Sequence, residues 1–421
     1  MEKFPFGFWI FLVLLFVQMT VAQIDITEQF IDPNFLEAIY EELEIPESEP
    51  IYDTDVAEIT GLFMNDRNIR NLSGIEYFLA LEVLDVSENL LTELDVSKNI
   101  ELMRLDVTYN RLTSLDLSNN TKLEVLSAYD NRLADLKLSN NKMLWGLAID
   151  NNRLTSLDLS NNTELLGLDI SGNQITDLNL SNNTELVEFY ATGNRLADLN
   201  LSNNTKLTDL DVSGNQIASL DVSNNKMLES LVINDNRLTN IDLSKNTSLK
   251  ELNISDNQLT SINLSNNTAL KELDVSGNLL TNLDLSNNKK LLELNVGGNY
   301  IISTADIVGL DNLELYEFAL GKQKDPQNLP KLANNAKTIK KNTSLSFAGI
   351  RNGQINLNLI SGNYTIELYN VQGRMINKTN INAINGVNAT GLKTNNLSKG
   401  VFILNVKQSE VSVLQHKIMV K

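Results

Sequence analysis

The chain has 421 residues, of which 42% are hydrophobic and only 6% aromatic, and its formal net charge is −19. It contains no cysteine and one histidine, His416, which excludes disulfides, thiolate metal sites and most imidazole chemistry. Residues 322–421 are nevertheless basic, with 14 Lys or Arg against three acids. The remaining, acidic part argues against a nucleic-acid partner, because binding a phosphate backbone needs clustered Lys and Arg.

Residues 1–22 have the pattern of a secretory signal peptide. Lys3 precedes an apolar run over 8–17, and Thr20, Val21 and Ala22 form a candidate cleavage site. The run is shorter than the ~20 apolar residues needed to span a bilayer. We therefore predict export of the mature protein, with any membrane association arising only from processing or from an added anchor.

Residues 23–58 are predicted to form an acidic N-terminal cap that contains a helix. Five apolar residues between Phe35 and Leu43 have helical spacing, and Asp32 or Asn34 could cap the helix. The acidic loop 45–55 lacks the glycine that a calcium loop uses for its sharp turn, so we expect a solvated loop. No metal and no cofactor are predicted.

Residues 59–321 are built on a repeat of 21 residues, of which 165–185 is a clean copy. Leu168 and Ile170 alternate as in a strand with one buried face, and an asparagine follows where the chain must turn. Its amide can satisfy backbone groups of the turn and is expected to form a ladder along the stack. The marker asparagines are Asn89, Asn110, Asn131, Asn152, Asn173, Asn194, Asn215, Asn236, Asn257, Asn278 and Asn299.

A second L-x-L motif, such as Leu178 and Leu180, lies in each repeat. About seven residues separate it from the next motif, which is too few for a helix of three turns. Short strands are therefore expected on both sides of each coil. Residues 59–78 form a degenerate first coil, in which Asn68 keeps the spacing, 79–309 form eleven regular coils, and 310–321 form a C-terminal cap.

This repeat resembles the bacterial 21-residue class of leucine-rich repeats, in which two half-motifs are nested. The resemblance implies a solenoid whose coils pack on their neighbours. The cap also resembles that of secreted leucine-rich-repeat proteins of Bacteroidetes.

Residues 322–345 have the composition of a linker, with Pro326 and Pro330. Residues 346–421 then alternate with period two and contain glycine turns, which predicts a small antiparallel β-sandwich. The segments 364–374, 397–406 and 417–421 resemble the C-terminal sorting domain of the type IX (Por) secretion system of Bacteroidetes. The residues that match its motif are Tyr369, Asn370, Gly373, Gly400 and Lys417.

The sorting-domain resemblance implies recognition by the outer-membrane secretion machinery, followed by removal of the domain or its replacement by a surface anchor. The expected location is outside the cell or on the outer-membrane surface of a Gram-negative bacterium. An ordinary adhesive β-sandwich is the alternative.

Carboxylates recur at one strand position in many coils, as at Asp85, Asp106, Asp169, Asp211 and Asp274. Repetition is what a structural consensus produces, whereas a catalytic acid pair should be unique. No enzymatic activity is predicted. The aspartates favour solubility, with attraction of a cationic ligand or divalent ions as the alternative.

A different set of residues departs from the repeat consensus on the coils that end at Asn110 through Asn194. Aromatic side chains are enriched in interfaces and can also stack on sugar rings. We therefore predict a ligand-binding patch, with repeat drift as the alternative. Its candidate residues are Tyr109, Tyr129, Asp130, Trp145, Asp150 and Tyr190.

The sequence as a whole favours a secreted or cell-surface leucine-rich-repeat protein that mediates protein–protein adhesion or recognition through an exposed solenoid face. A glycan-binding surface module is one alternative. A structural component of the surface or matrix, without a discrete ligand, is the other.

Overall fold

The computed structural model describes residues 23–324 and, nearer the C-terminus, 346–351, 354–359, 362–370, 375–383, 386–393, 400–408 and 411–420. The predicted signal peptide, 1–22, lies outside the described residues, as does most of the predicted linker, 325–345. The chain divides into two compact units, Met1–Leu329 and Pro330–Lys421.

The first unit begins with a cap that contains a 3₁₀ turn, Thr27–Gln29, and the helices α1, Pro33–Leu43, and α2, Asp53–Val56. One carboxylate oxygen of Asp32 accepts hydrogen bonds from the N–H groups of Asn34 and Phe35 and so caps α1. Its other oxygen accepts from Arg70 N–H at 2.7 Å. Asp32 therefore fastens the helix to the first coil.

The coils contribute one short strand each to a parallel sheet of thirteen strands. The middle residue of nearly every strand is a buried leucine, whereas the first and third residues face outward. In chain order, the strands of this unit are β1 (Gly61–Phe63), β2 (Val83–Asp85), β3 (Arg104–Asp106), β4 (Val125–Ser127), β5 (Gly146–Ala148), β6 (Gly167–Asp169), β7 (Glu188–Tyr190), β8 (Asp209–Asp211), β9 (Ser230–Val232), β10 (Glu251–Asn253), β11 (Glu272–Asp274), β12 (Leu283–Asp284), β13 (Glu293–Asn295), β14 (Ile307–Val308) and β15 (Glu317–Ala319).

The marker asparagines are buried, and each bridges two coils. Asn110 Oδ1 accepts from Leu91 N–H at 2.9 Å, and its Nδ2 donates to Val86 C=O at 2.9 Å and to Val107 C=O at 3.1 Å. The same bonds recur every 21 residues as far as Asn299. These bonds occupy both the donor and the acceptor side of the amide.

The mainly β solenoid is confirmed, but the expected strands on its second side are not general. Within residues 23–324, only β12 and β14 pair there. The carbonyl groups are used differently, since Leu159 C=O accepts from Asn162 N–H at 3.0 Å and from Asn183 Nδ2 at 3.1 Å. Turn bonds and side-chain amides thus replace a second backbone ladder.

Those amides form a second asparagine ladder inside the stack, which we call the inner ladder. Asn183 Nδ2 also donates to Asn162 C=O at 2.8 Å. All ten members have no exposed surface, and within the described residues their Oδ1 atoms accept no hydrogen bond. The members are Asn99, Asn120, Asn141, Asn162, Asn183, Asn204, Asn225, Asn246, Asn267 and Asn288.

Both ends of the solenoid depart from the 21-residue spacing. In the first coil Leu62 pairs with Leu84, so Arg67, and not Asn68, occupies the marker position opposite Asn89. In the last coil Leu294 pairs with Phe318, 24 residues on, because a 3₁₀ turn at Thr304–Asp306 lengthens the coil.

A glutamine, three residues later than expected, closes the marker ladder. Gln323 Oε1 accepts from Asn299 N–H at 3.0 Å, and its Nε2 donates to Val296 C=O at 3.0 Å. The following Lys324 Nζ donates to Asn278 C=O at 2.7 Å and lies 5.8 Å from the centre of the Tyr300 ring.

The second unit consists of antiparallel strands in two sheets, as the period-two pattern predicted. One sheet has the order β16-β17-β20 and the other β19-β18-β21-β22. Ile355 and Leu357 of one sheet, and Tyr364, Ile366 and Leu368 of the other, are buried. The strands are β16 (Ser346–Arg351), β17 (Gln354–Leu359), β18 (Gly362–Asn370), β19 (Met375–Ala383), β20 (Gly386–Lys393), β21 (Gly400–Gln408) and β22 (Val411–Val420).

Candidate functional site

The outward side of the thirteen-stranded sheet, here called the sheet face, carries most of the candidate residues. The first and third residues of each strand point outward, and neighbouring parallel strands lie ~4.8 Å apart. Side chains at one strand position therefore form columns along the stack. A large or charged side chain that departs from the repeat consensus therefore lies beside the side chains of the neighbouring coils.

Four of the six candidate residues meet where β3, β4 and β5 lead into their turns. The rings of Tyr109 and Tyr129 pack edge to face, with centroids 5.3 Å apart. Asp130 and Asp150 follow on the same edge, and Asn151 Nδ2 donates to Asp150 Oδ2 at 3.0 Å and to Asp130 Oδ2 at 3.4 Å. We call these five residues the turn cluster.

The backbone of the turn cluster is strained. Tyr109, Asp130 and Asn151 have φ of 51°, 52° and 52° at a position where later coils have glycines such as Gly172. A left-handed conformation costs a residue with a Cβ ~1–2 kcal/mol, and short Asn and Asp side chains tolerate it best. Tyr109 is the only aromatic residue in this conformation within the described chain, and its ring is half exposed. Such strain is more common at functional sites than elsewhere.

Two acidic groups of the turn cluster have raised pKa values. Burial, together with the charges of Asp169 and Asp130, raises the pKa of Asp150 to about 6. The charge of Asp130, followed by burial, raises the pKa of the Tyr109 hydroxyl. The cluster thus concentrates negative charge beside two aromatic rings.

The other two candidates lie apart from the turn cluster. Tyr190 is the third residue of β7, in register between Asp169 and Asp211, and burial followed by the charge of Glu188 raises its pKa. Trp145 immediately precedes β5, at the opposite end of the strand from Asp150, and is 39% exposed. The six candidates therefore surround a region instead of forming one contact.

Between them lies a stretch of the sheet face with small outward side chains, here called the recess, which the sequence analysis did not identify. It is formed by the outward residues of β4, β5 and β6, which are mostly small: Val125, Ser127, Gly146, Ala148, Gly167 and Asp169. A Cβ added at Gly167 meets no atom within 4 Å, and one at Gly146 meets only Val125 at 3.6 Å. Neither glycine has the left-handed φ that would demand glycine.

Large side chains enclose the recess. Arg104 of β3 and Tyr190 of β7 lie on either side, roughly 19 Å apart at four strand spacings. Trp145 and the exposed Leu166 lie at the strand starts, and Tyr129 lies at the turn edge. Glycine within a strand often marks a place where a ligand or another backbone approaches closely.

A second feature missed from sequence is a column of acids at the first strand position, beyond the recess. Only Ser230 interrupts it, and Ser230 Oγ donates to Glu251 Oε2 at 3.1 Å. Burial, followed by the charges of Glu251 and Glu293, raises the pKa of Glu272. The acid column consists of Glu188, Asp209, Glu251, Glu272, Glu293 and Glu317. Comparing the residues at the first strand position of successive repeats would have revealed this column in the sequence.

The repeated aspartates have a structural use. Asp85 Oδ1 accepts from the N–H and hydroxyl of Ser87, at 3.0 and 2.7 Å, and Asp211 does the same for Ser213. Each bond closes the turn after the strand. No group of three or more acidic or histidine side chains within the described residues is arranged to hold a metal ion.

The motif residues of the C-terminal unit fall on three strands. Tyr369 and Asn370 end β18, Gly400 begins β21, and Lys417 lies on β22. Register places Ile403 between Tyr369 and Lys417. Gly373 lies outside the described residues.

Comparison with known sequence families agrees with this architecture. Residues 351–421 match the family described as the secretion system C-terminal sorting domain, and residues 203–223 and 245–262 match a leucine-rich-repeat family. The chain carries leucine-rich repeats and a type IX sorting tail. No curated protein sequence matches it.

Solved structures similar to this leucine-rich-repeat protein include proteins of two bacteria. The functional domain of InlJ from Listeria monocytogenes is 28% identical, with a TM-score of 0.53 over 66% of this chain and 76% of that one. The internalin InlF from the same species is 24% identical, with a TM-score of 0.61 over 72% and 99%. A leucine-rich-repeat protein from Leptospira interrogans is 22% identical, with a TM-score of 0.54 over 57% and 67%.

The last two similarities show the fold alone. The InlJ domain includes a cysteine ladder, whereas this leucine-rich-repeat protein has no cysteine and carries ladders of asparagine. No helix in the described residues is long and apolar enough to cross a membrane. The sorting tail indicates secretion or attachment at the cell surface, and the solenoid indicates an interaction module.

Proposed function

We propose that this leucine-rich-repeat protein acts in adhesion or recognition by binding a protein partner at the recess of the sheet face. The observation that carries the proposal is a sheet left bare at Gly146 and Gly167, although their backbone conformation accepts other residues. Glycine in a strand weakens it by about 0.5–1 kcal/mol relative to alanine. The solenoid gains no packing from these glycines, so we attribute them to access for a ligand.

The surroundings of the recess support a macromolecular ligand. Aromatic rings supply large contact area at low entropic cost, and aromatic anchors around a protected centre are typical of protein interfaces. Tyr129 and Tyr190 are half buried and Trp145 is exposed, so each presents ring surface at the border. A wide, shallow recess suits a protuberance of another protein better than a small molecule, which prefers a deep pocket.

The test is binding to a reconstituted partner. Surface and secreted proteins cross-linked to the full chain would be identified, purified and titrated by calorimetry. We expect Tyr190→Ala and Tyr129→Ala to weaken binding by tenfold or more, as for residues worth roughly 2 kcal/mol at an interface. Their free energy of unfolding should change by less than about 0.5 kcal/mol.

Tyr316→Ala is the matched control, because Tyr316 is 85% exposed at the far end of the solenoid. It should bind normally. A large loss of stability in Tyr190→Ala, with binding of the folded fraction intact, would make these rings packing residues and contradict the proposal.

A glycan ligand is the second candidate, favoured by the exposed ring of Trp145 beside small residues. Calorimetry against a glycan panel separates the two. Heat from sugars that disappears in Trp145→Ala, with no binding to any purified surface protein, would favour it. Self-association of the chain without either ligand would favour a structural matrix component instead.

For export, we propose that residues 346–421 direct the chain through the type IX machinery and are then removed or replaced by an anchor. The support is the match of 351–421 to the sorting-domain family. A reporter fused to 346–421 should appear outside a bacterium that has this secretion system. Retention of the reporter in the periplasm would refute the proposal.

A further inference from the structure

The acid column lies beside the recess, and none of its members forms an ion pair within the described residues, although the charge of Lys271 acts on Glu272. In register, Glu251, Glu272 and Glu293 are each other's neighbours, at strand spacing of ~4.8 Å. The ion pairs within residues 23–324 involve Glu41, Glu101, Glu185 and Glu229, none of which belongs to the column. Like charges at this spacing repel each other, so the fold itself gains nothing from the column.

The column is continuous with the recess. It begins at Glu188 on β7, the strand whose Tyr190 borders the recess, and ends at Glu317 on β15. A depression of about 230 Å³ lies along its far part, lined by Glu251, Glu272, Glu293 and Glu317 together with neighbouring residues. At the first strand position, a ligand seated in the recess therefore has the acid column on its β7 side and Arg104 on its β3 side.

We propose that the partner presents a basic polypeptide segment, with an apolar side chain in the recess and Lys or Arg side chains along the acid column. This rests on the proposed function and names the class of partner. The column spans six strand intervals, roughly 29 Å, which is the length of about nine extended residues. An ion or a small cation cannot reach from the recess to Glu317, and only a polymer can do so while also burying an aliphatic group.

The experiment uses the full chain and synthetic probes. The basic probe is a labelled peptide of about 12 residues, a length set by the strand rise, with a leucine at each end and alternating Lys and Ser between. One comparison probe replaces Lys by Glu, and another replaces both leucines by Ser. Fluorescence anisotropy would be measured at about 50 and about 300 mM NaCl, which bracket physiological screening.

We expect the basic probe to bind, more tightly at low salt, and the acidic probe not to bind. The triple variant Glu251→Gln, Glu272→Gln, Glu293→Gln should weaken binding by about tenfold at low salt, as for three exposed charge pairs. The matched control Glu37→Gln, Glu42→Gln, Glu47→Gln makes the same change in net charge on the exposed N-terminal cap. It should change binding by less than about twofold, since salt screens the interaction between charges that lie more than a Debye length apart.

Three results would overturn the inference: equal binding of the acidic and basic probes, failure of the basic probe to bind, or equal effects of the two triple variants. None of them decides the proposed function. A reconstituted partner that binds the triple glutamine variant normally but fails on Tyr190→Ala leaves the proposed function standing and removes only the basic segment.

Discussion

Gly167 and Gly214 should respond in opposite directions to the same substitution. Gly167 is in a strand, outside the left-handed region, and an added Cβ meets no atom within 4 Å. Gly167→Val should therefore stabilise the solenoid by about 0.5–1 kcal/mol, because valine favours a pleated, half-buried surface and loses less backbone entropy. Gly214 has φ of +62°, and its Cβ would lie 3.3 Å from Gly193 N. Gly214→Val should destabilise by ~1–2 kcal/mol.

The two variants should thus differ by ~2–3 kcal/mol in free energy of unfolding. Urea unfolding can be followed through Trp145, the only tryptophan after the predicted signal peptide. The valine at residue 167 should also occupy the recess and reduce partner binding by tenfold or more, since the interface loses its complementary shape. Destabilisation by Gly167→Val would show that the site is not open, and the reasoning about the recess would fail.

Three further predictions concern the ladders, the turn cluster and the cap. Asn183→Ala should cost ~1–3 kcal/mol, because two buried hydrogen bonds, to Leu159 C=O and Asn162 C=O, are lost, whereas Asn182→Ala, at an exposed site, should cost less than half as much by the same urea assay. Since folding raises the pKa of Asp150 from 3.8 to about 6, its ionised form destabilises the fold above pH 6, and protonation removes this penalty as pH falls towards 4. Asp150→Asn should stabilise by about 1 kcal/mol or less at pH 7.5, after allowance for solvent screening, and the gain should vanish near pH 4; a gain independent of pH would contradict this assignment. Asp32→Ala should cost ~2–3 kcal/mol in chemical unfolding, because it uncaps α1 and leaves Arg70 N–H without its acceptor; a loss below ~0.5 kcal/mol would show that water replaces both bonds.

The sequence was most informative where the repeat is regular. Strict spacing of 21 residues fixes which leucines face inward and which asparagines meet backbone groups. The two ends of the solenoid were harder to predict, because Arg67 and Gln323 occupy marker positions that only the pairing of the strands reveals. The amide of Gln323, three residues late, donates to Val296 C=O as a marker asparagine would, but it accepts from Asn299 N–H, two residues before the usual donor position.

The short strands predicted on the second side of each coil pair, within residues 23–324, only at β12 and β14, and there is a specific reason for this. The L-x-L motif indicates inward-facing residues with strand spacing, but it does not say which partner each carbonyl group finds. The Ser-Asn-Asn sequence competes for those carbonyl groups through turn N–H groups and through amides such as that of Asn183. The inner ladder is visible in the sequence only after this competition is considered.

The candidate site was predicted in part. Departures from the repeat consensus identified aromatic and acidic residues that border the recess. The recess itself exists because Gly146 and Gly167 have no side chains. Small residues carry no chemical signal in a sequence, and only the parallel register places them side by side. The acid column was similarly hidden among many other acids, because its members are 21 or more residues apart along the chain.

The constant repeat length has a consequence for the gene. Since both ladders return every 21 residues, unequal recombination that removes or duplicates one whole unit between 79 and 309 would regenerate every inter-coil bond. The sheet would shorten or lengthen by ~4.8 Å, with both end structures unchanged. The length of the surface presented to a partner can therefore change in fixed steps while the packing between coils stays the same.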